Sequence, residues 1–399
     1  MLTKPQMAKY ADVLWWALQT ARKKRFKKRD IILIRFDGPA VRLAEILQGR
    51  ILDLGLNPVM RPGITPVMEH QFYEKAGSGQ LAFLAPGEKE LCGQVHGSIY
   101  LYAPDSLTHL SDIDSEKIGR AVVARKTLRD ILNKREEAGA YSWTLCAFPT
   151  AELARQAKLS QRQFCNQIIR ACFLNLDDPV GMWKRIHRDM MAIKKGLNRL
   201  SIHRLHITSA SMDLTIKPGK SRKWIGLSGH NIPSFEIFLS PDWRGTEGIY
   251  HADQPSFRNG NLVQGVQLTF KKGVVIHAQA RKGQAFLEKQ LAMDKGASRV
   301  GEFSLTDKRF SKITRFMANT LYDENFGGPY GNCHLAVGAS YSDTYDGNPA
   351  ALTKRRKAQL GFNDSALHWD LVNTEKKTVT AHLENGMEQV IYKDGLFTV

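Results

Sequence analysis

Four short apolar segments in the second half of the chain each carry an ionisable side chain where a buried strand is expected. The clearest is residues 366–372, in which His368 and Asp370 stand two positions apart. Successive side chains on a strand point to opposite faces, so these two groups share one face. An imidazole and a carboxylate directed at one point can chelate a metal ion, although a hydrogen-bonded structural pair gives the same pattern.

The other three segments repeat this arrangement upstream, each with one acidic or imidazole side chain in an apolar run. They are residues 231–238 with Glu236, residues 299–305 with Glu302, and residues 332–341 with His334. A buried carboxylate must be neutralised or paired with a cation. The immediate apolar flanks supply no cation except Arg299 beside Glu302. Two divalent ions would supply the missing positive charge.

These segments, in this order, resemble the thermophilic metalloaminopeptidase family typified by aminopeptidase T and aminopeptidase S. The resemblance covers essentially the whole chain. Besides the four segments, it rests on residues 9–14, 141–143, 149–150 and 212–220.

The resemblance implies a set of site residues, carried over position by position. The implied metal ligands are Glu236, Glu302, His334, His368 and Asp370, and the active-site tyrosine falls on Tyr341. The Asp-Glu-Asn triplet of the family matches residues 323–325, which adds Glu324 as a further ligand. The sequence departs from the family pattern at two places. Residues 326–331 look like an insertion, and Phe235 stands where the family usually has a glycine.

Charge counting then predicts the chemistry. Four carboxylates and two imidazoles can hold two divalent ions, zinc, cobalt, manganese or magnesium, roughly 3.5–4 Å apart, and Glu302 is the expected bridge. A water between the ions would attack the scissile carbonyl, with Tyr341 stabilising the oxyanion. Glu236 and Glu302 both stay open as the general base. The activity that the family resemblance implies is that of an aminopeptidase acting on peptides with a free N-terminus.

The first half of the chain alternates helix and strand. Strands are predicted at residues 31–36, 58–61, 98–102 and 143–148, and helices at residues 9–24, 41–54, 66–76, 116–137, 151–158, 161–173 and 179–198. Such alternation predicts right-handed crossovers and a mainly parallel sheet covered by helices. We therefore expect an α/β N-terminal domain over residues 1–199.

The second half changes character, because strands there are separated by turns. Hairpins are predicted over residues 262–280 and 379–392, the latter around Asn385-Gly386, a strong hairpin signal. Helices are expected at residues 284–295 and 308–321. We therefore expect an α+β, strand-rich catalytic domain over residues 200–399, which contains every proposed ligand.

The net charge of +18 invites a different function. The densest basic run is residues 22–29, and such runs can bind phosphate backbones, so a non-enzymatic, basic nucleic-acid-associated protein is the alternative. No recognised nucleic-acid module accompanies the run, which favours a solvated connector and makes nucleic acid an unlikely partner. Residues 37–40 lack the glycines of a dinucleotide-binding turn, which argues against a nicotinamide oxidoreductase.

The sequence also predicts the cellular location of the protein, the state of its cysteines and its oligomeric state. The start of the chain has no secretory pattern, and no apolar run is long enough to span a bilayer, so a cytoplasmic protein without a membrane partner is expected. Five cysteines in no paired metal spacing indicate reduced, mostly buried thiols. The family resemblance implies a homodimer.

Overall fold

The computed structural model describes residues 1–399, and the chain forms two compact units. Unit 1 comprises Met1–Arg185, Leu227–Ser234 and Met317–Leu321. Unit 2 comprises Ile186–Gly226, Phe235–Phe316 and Tyr322–Val399. A division into independently folding domains at residues 1–199 and 200–399 stays a prediction.

Twelve α-helices occur along the chain, and none is long and apolar enough to cross a membrane. They are α1 (Lys4–Thr20), α2 (Val41–Asp53), α3 (Pro66–Lys75), α4 (Ser78–Leu81), α5 (Glu88–Gln94), α6 (Ser115–Glu137), α7 (Ala151–Gln156), α8 (Gln161–Ala171), α9 (Pro179–Leu197), α10 (Gln284–Leu291), α11 (Thr320–Asp323) and α12 (Lys354–Gln359).

Unit 1 contains a five-stranded parallel sheet in the order β2-β1-β3-β4-β8. Its strands are β1 (Ile31–Phe36), β2 (Asn57–Pro62), β3 (Gly97–Tyr102), β4 (Ser142–Ala147) and β8 (Asn231–Ile232). The four strands predicted for the first half lie within one residue of the observed bounds. The α/β class with a parallel sheet is confirmed.

Local capping decides where the helices of unit 1 begin. The Thr3 hydroxyl accepts the Gln6 N–H, and the Gln6 side chain accepts the Thr3 N–H, so α1 begins at Lys4, five residues earlier than predicted. The same reciprocal pair, Ser160 with Gln163, starts α8 as the sequence predicts.

Unit 2 contains two antiparallel sheets. The larger has the order β11-β12-β10-β6-β5-β17-β18-β19, with β13 beside β12. Its strands are β5 (Ile202–Thr208), β6 (Asp213–Ile216), β10 (Glu247–Ala252), β11 (Ser256–Arg258), β12 (Asn261–Lys271), β13 (Val274–Lys282), β17 (Thr378–Leu383), β18 (Glu388–Lys393) and β19 (Leu396–Phe397). Both predicted hairpins, β12–β13 and β17–β18, are present.

The smaller sheet of unit 2 carries the ionisable segments and has the order β16-β15-β14-β9-β7. Its strands are β7 (Ile225–Gly226), β9 (Glu236–Leu239), β14 (Val300–Thr306), β15 (Asn332–Gly338) and β16 (His368–Asn373). Strands β14 and β15 are buried along their whole length, and each contains a single charged or imidazole residue, Glu302 in β14 and His334 in β15.

The prediction of a helix over residues 308–321 is wrong. Only a single helical turn, α11, forms, near the end of that range. Side chains take the backbone groups that a helix would use. The Asp307 carboxylate accepts the Arg309 N–H at 2.9 Å, and the Ser311 hydroxyl accepts the Ile313 N–H at 3.2 Å. Such local side-chain bonds compete with helix formation.

Gly338 ends β15 with a positive φ of 106°, and a Cβ there would collide with the carbonyl oxygen of Leu367. Gly386 also has a positive φ, 84°, but open space surrounds it. We expect Gly386→Ala to lower the free energy of unfolding by about 1 kcal/mol, from backbone strain alone, and Gly338→Ala by about 3 kcal/mol or more. Chemical denaturation of both variants measures this difference, and equal losses would contradict a tight contact at Gly338.

Candidate metal centre

The smaller sheet of unit 2 brings together the side chains that the sequence suggested as ligands. Glu236 opens β9, Glu302 lies in β14, His334 in β15, and His368 and Asp370 in β16, while Glu324 follows α11. Because β9, β14, β15 and β16 are neighbours in one sheet, residues of matching parity face the same side. All six side chains converge there, although they come from five segments spread over residues 236–370.

Glu302 lies between the two imidazoles. Its Oε1 is 3.1 Å from Nε2 of His334, and its Oε2 is 3.8 Å from Nε2 of His368. Each imidazole also has a second carboxylate: Glu236 Oε2 lies 3.5 Å from His334, and Asp370 Oδ1 lies 3.2 Å from His368. One carboxylate therefore faces both halves of the cluster.

Glu324 joins the cluster from outside the sheet. Its carboxylate and the ligand atoms of His334 and Asp370 all lie within 4.8 Å of one another. The same holds for Glu236, Glu302 and His334. Both groups share His334, which is only 1% exposed and stands at the centre of the cluster.

The cluster has more negative than positive charge. If all four carboxylates were ionised and both imidazoles protonated, two negative charges would be in excess. Glu236, Glu302 and Glu324 are all buried, so solvent does little to screen this excess. Cations or protons must compensate it.

In the metal-free protein, protons provide this compensation. Burial, together with the charges of Glu302 and Asp370, raises the pKa of Glu236 to about 7 against the opposing charge of His334. Burial and the neighbouring carboxylates also raise the pKa of Glu324. Burial lowers the pKa of His334, but its bond to Glu302 and the surrounding carboxylates outweigh this effect and raise that pKa to about 10.

Outer contacts orient the candidate ligand side chains. Nδ1 of His368 donates to the carbonyl oxygen of Ala339 at 2.8 Å, so a neutral His368 would present its unprotonated Nε2 to a metal ion. The Ser304 hydroxyl donates to Oε2 of Glu236 at 3.2 Å. Hydrogen bonds of this kind hold ligating side chains before a metal ion binds.

Asn325 connects the segment of Glu324, outside the sheet, to the start of β9, where Glu236 lies. Its Oδ1 accepts the N–H of Phe235, the residue before Glu236, at 2.5 Å. The Ser311 hydroxyl donates to the Asn325 carbonyl, and the Thr306 hydroxyl donates to that of Glu324. The sequence pointed to Asn325 only as part of a triplet, and nothing in the pattern indicated Ser311 or Thr306.

Tyr341 reaches the same face although strict alternation would direct it away from His334. The positive φ of Gly338 ends the alternation, and the Tyr341 N–H then donates to the Ser240 hydroxyl at 2.8 Å. The Tyr341 ring lies 4.7 Å from the His368 ring, measured between centroids, and the residue is 38% exposed. It stands on the solvent side of the buried cluster.

The two departures from the family pattern are ordered parts of unit 2. Residues 326–331 contact Lys308, whose Nζ donates to the Pro329 carbonyl at 2.9 Å, and Tyr392, whose hydroxyl reaches the Tyr330 carbonyl at 3.5 Å. Phe235 is fully buried.

The donor set fits divalent ions. Four ligands at bonds of about 2.1 Å in a tetrahedral arrangement are roughly 3.4 Å apart. Nε2 of His334 lies 3.1, 3.5 and 3.7 Å from oxygens of Glu302, Glu236 and Asp370. Nε2 of His368 lies 3.2 and 3.8 Å from oxygens of Asp370 and Glu302. Carboxylate and imidazole donors together suit zinc, cobalt or manganese.

Comparison with known proteins agrees with this chemistry. The model of the family described as thermophilic metalloprotease (M29) matches residues 3–397. The chain belongs to this family. As a member of a metalloprotease family, it is a metal-dependent hydrolase of peptide bonds and binds a divalent metal.

Individual relatives extend the comparison. Aminopeptidase T of Thermus aquaticus is 28% identical over 309 residues, which span 73% of this chain and 74% of that protein. Aminopeptidase 2 of Geobacillus stearothermophilus is 28% identical over 354 residues, or 83% of each chain. The solved structure of wild-type AmpT from Thermus thermophilus has a TM-score of 0.78 at 22% identity, covering 97% of this chain and 99% of that one, and shows the same fold.

Asn325→Ala should lower metal affinity about 10–100-fold, because it removes a bond that fixes the backbone beside Glu236. Asn198→Ala is the matched control, since Asn198 Oδ1 also accepts a backbone N–H, that of Trp224, at 2.7 Å. Calorimetric metal titration of both variants tests this role. Equal affinity losses in the two variants would show a general loss of stability and would contradict a positioning role for Asn325.

Metal binding should release protons. Because the pKa of His334 is raised to about 10 and that of Glu236 to about 7, His334 is protonated and Glu236 about half protonated at neutral pH, and an incoming ion must displace these protons. Metal affinity should therefore increase as the pH rises from about 6 to about 9. Calorimetry in buffers of different ionisation enthalpy measures the protons released, and a pH-independent affinity would contradict the assignment.

Proposed function

We infer that this chain is a metal-dependent aminopeptidase, which releases single N-terminal residues from peptides and uses two divalent ions to activate a water. The observation that carries the inference is the Glu302 carboxylate, with one oxygen toward each imidazole. A carboxylate in that position is suited to bridge two ions. The relatives named aminopeptidase T and aminopeptidase 2 support the class of substrate.

The proposed ligands divide into two sets around the bridge. His334 with Glu236 and Glu324 would hold one ion, and His368 with Asp370 would hold the other. Zinc, cobalt, manganese and magnesium are the candidate ions. When bound, the two ions supply a water of lowered pKa and a Lewis acid for the scissile carbonyl.

Glu236 and Glu302 are the candidates for proton transfer. A general base must accept the proton of the attacking water and deliver it to the leaving amine. The Ser304 hydroxyl holds Oε2 of Glu236, so this carboxylate has a fixed orientation for either role. Glu302 would be limited by its bridging position, which favours Glu236 as the base.

Tyr341 is the proposed oxyanion donor. Its ring packs at the edge of the His368 ring, and its backbone is held by Ser240 and by the Thr344 hydroxyl, which donates to the Tyr341 carbonyl. A hydroxyl fixed in this way can donate to the oxygen on which negative charge develops.

The free α-amine of the peptide is proposed to select the substrate. A free amine can donate hydrogen bonds to a carboxylate or bind a metal ion, whereas an acylated nitrogen is a poor metal ligand. Binding of the α-amine to a carboxylate or a metal ion would place the first peptide bond at the reacting centre. Cleavage is thereby restricted to one residue at a time.

Two further points concern the oligomeric state and the cellular location of the protein. Homodimerisation is proposed from the resemblance to the family, and light scattering coupled to gel filtration tests it. A cytoplasmic location stays a prediction. The alternative function, a non-enzymatic nucleic-acid-associated protein, receives no support from the comparisons.

The activity is tested with aminoacyl-arylamides, short peptides and their N-acetylated counterparts. The protein is first treated with a chelator, and zinc, cobalt, manganese and magnesium are then added back separately. We expect single N-terminal residues to be released only from unblocked substrates and only after a metal is restored. Cleavage of acetylated peptides would contradict the exopeptidase assignment, and a metal-loaded but inert protein would contradict the proposed function.

Tyr341→Phe should lower kcat about 10²-fold, because the variant loses a donor to the oxyanion, and should leave KM and metal content nearly unchanged. Tyr330→Phe is a matched control with the same chemical change at a residue of similar exposure, 39% against 38%. Steady-state kinetics with metal analysis measures both. An unchanged kcat in Tyr341→Phe would remove this residue from the mechanism.

A further inference from the structure

A basic loop in unit 1 surrounds a cavity that the proposed peptidase chemistry does not use. The loop is residues 22–29, between α1 and β1, and is called the basic loop below. The cavity has a volume of about 570 Å³. Its lining combines basic side chains of the loop with the aromatic rings of Trp15 and Phe26 and the amide of Gln19.

Backbone and ring contacts hold the basic loop in one conformation. The Arg29 N–H donates to the Gly55 carbonyl at 2.8 Å, and the Lys27 N–H donates to the buried Asp30 carboxylate at 3.0 Å. The Phe26 ring lies between Trp15, 5.2 Å away between ring centroids, and the Arg22 guanidinium, 4.2 Å from its centroid. These contacts therefore give the basic loop a defined conformation.

The positive charge of the basic loop is largely uncompensated. Seven of its eight residues are Lys or Arg. Asp30, the residue that follows the loop, forms an ion pair with Arg22, whose side chain is only 5% exposed. The exposed side chains of Lys24, Arg25, Lys27 and Lys28 form no ion pair. Like charges this close repel one another, and an anion with several charges would relieve the repulsion.

The shape of the site limits what that anion can be. A concave cavity of this volume is typical of sites for small molecules. Trp15 and Phe26 are half-buried, so they form part of the cavity wall and do not project as membrane-inserting side chains would. A bilayer or a nucleic-acid duplex would meet the outer surface of the loop and leave the cavity unfilled.

We propose that the basic loop and the cavity beneath it bind a compact oligophosphate, an anion of the size of tripolyphosphate or a nucleoside triphosphate. The cations supply charge-assisted hydrogen bonds to phosphate oxygens, and the aromatic wall with Gln19 offers a surface for an attached base. This proposal does not depend on the peptidase assignment, because every residue it uses lies in unit 1.

The test is calorimetric titration of tripolyphosphate, ATP and AMP into the metal-loaded protein at low and at physiological salt. Free metal is removed by dialysis first, because oligophosphates chelate divalent ions. Binding of tripolyphosphate that weakens with added salt is expected. ATP binding tighter than tripolyphosphate would identify a nucleotide as the ligand, and equal binding would identify the phosphate chain alone.

Two double variants separate the site from the overall charge of the protein. Lys24→Gln with Arg25→Gln removes two cations from the basic loop. Lys354→Gln with Arg355→Gln removes an adjacent Lys and Arg from α12, where both are also exposed. The loop variant should bind tripolyphosphate about tenfold more weakly and the α12 variant about as well as the unmodified protein, with peptidase turnover unchanged in both.

Several results would overturn the proposal. They are no binding of tripolyphosphate at millimolar concentration, equal losses in the two variants, and tighter binding of a single-stranded oligonucleotide or of anionic vesicles than of tripolyphosphate. Equal losses would show that binding depends only on net charge. Tighter binding of a larger polyanion would show that the surface, and not the cavity, is the site.

Discussion

The structure of unit 2 depends on the compensation of negative charge inside a sheet. Four carboxylates meet two imidazoles in a largely buried cluster, and water cannot screen the repulsion among them. Protons held by His334 and Glu236 compensate the charge in the metal-free protein, and divalent ions would do so in the active one. The same excess charge that makes the site costly to fold would give it affinity for metal ions.

The antiparallel sheet makes this compensation possible because it fixes side chains from distant parts of the sequence. Strand pairing sets His334 opposite Ser304, and Asp370 opposite Ala336, so the proposed ligands alternate with small residues along the shared face. Outside the sheet, Asn325 ties the segment of Glu324 to the backbone before Glu236. Unit 1 contains none of these residues, and its own concentration of charge, the basic loop, has the opposite sign.

Much of this arrangement could be predicted from the sequence, because it rests on local patterns. The strands of the first half were predicted within one residue, since apolar runs bounded by turns are a strong signal, and His368 and Asp370 share a face by alternation alone. The helix expected at residues 308–321 does not form, because Asp307 and Ser311 bond to nearby backbone groups. The roles of Ser311 and Thr306 depend on contacts with residues 14 and 18 positions away, which no local pattern reveals.

The central claim is that two divalent ions balance the buried carboxylates. The most direct test is the number of metal ions retained per chain, measured by mass spectrometry after exhaustive dialysis, together with the unfolding temperature before and after chelation. The account predicts two ions per chain and a lower unfolding temperature once they are removed. A protein that retains no ions and unfolds at the same temperature with and without chelator would contradict it.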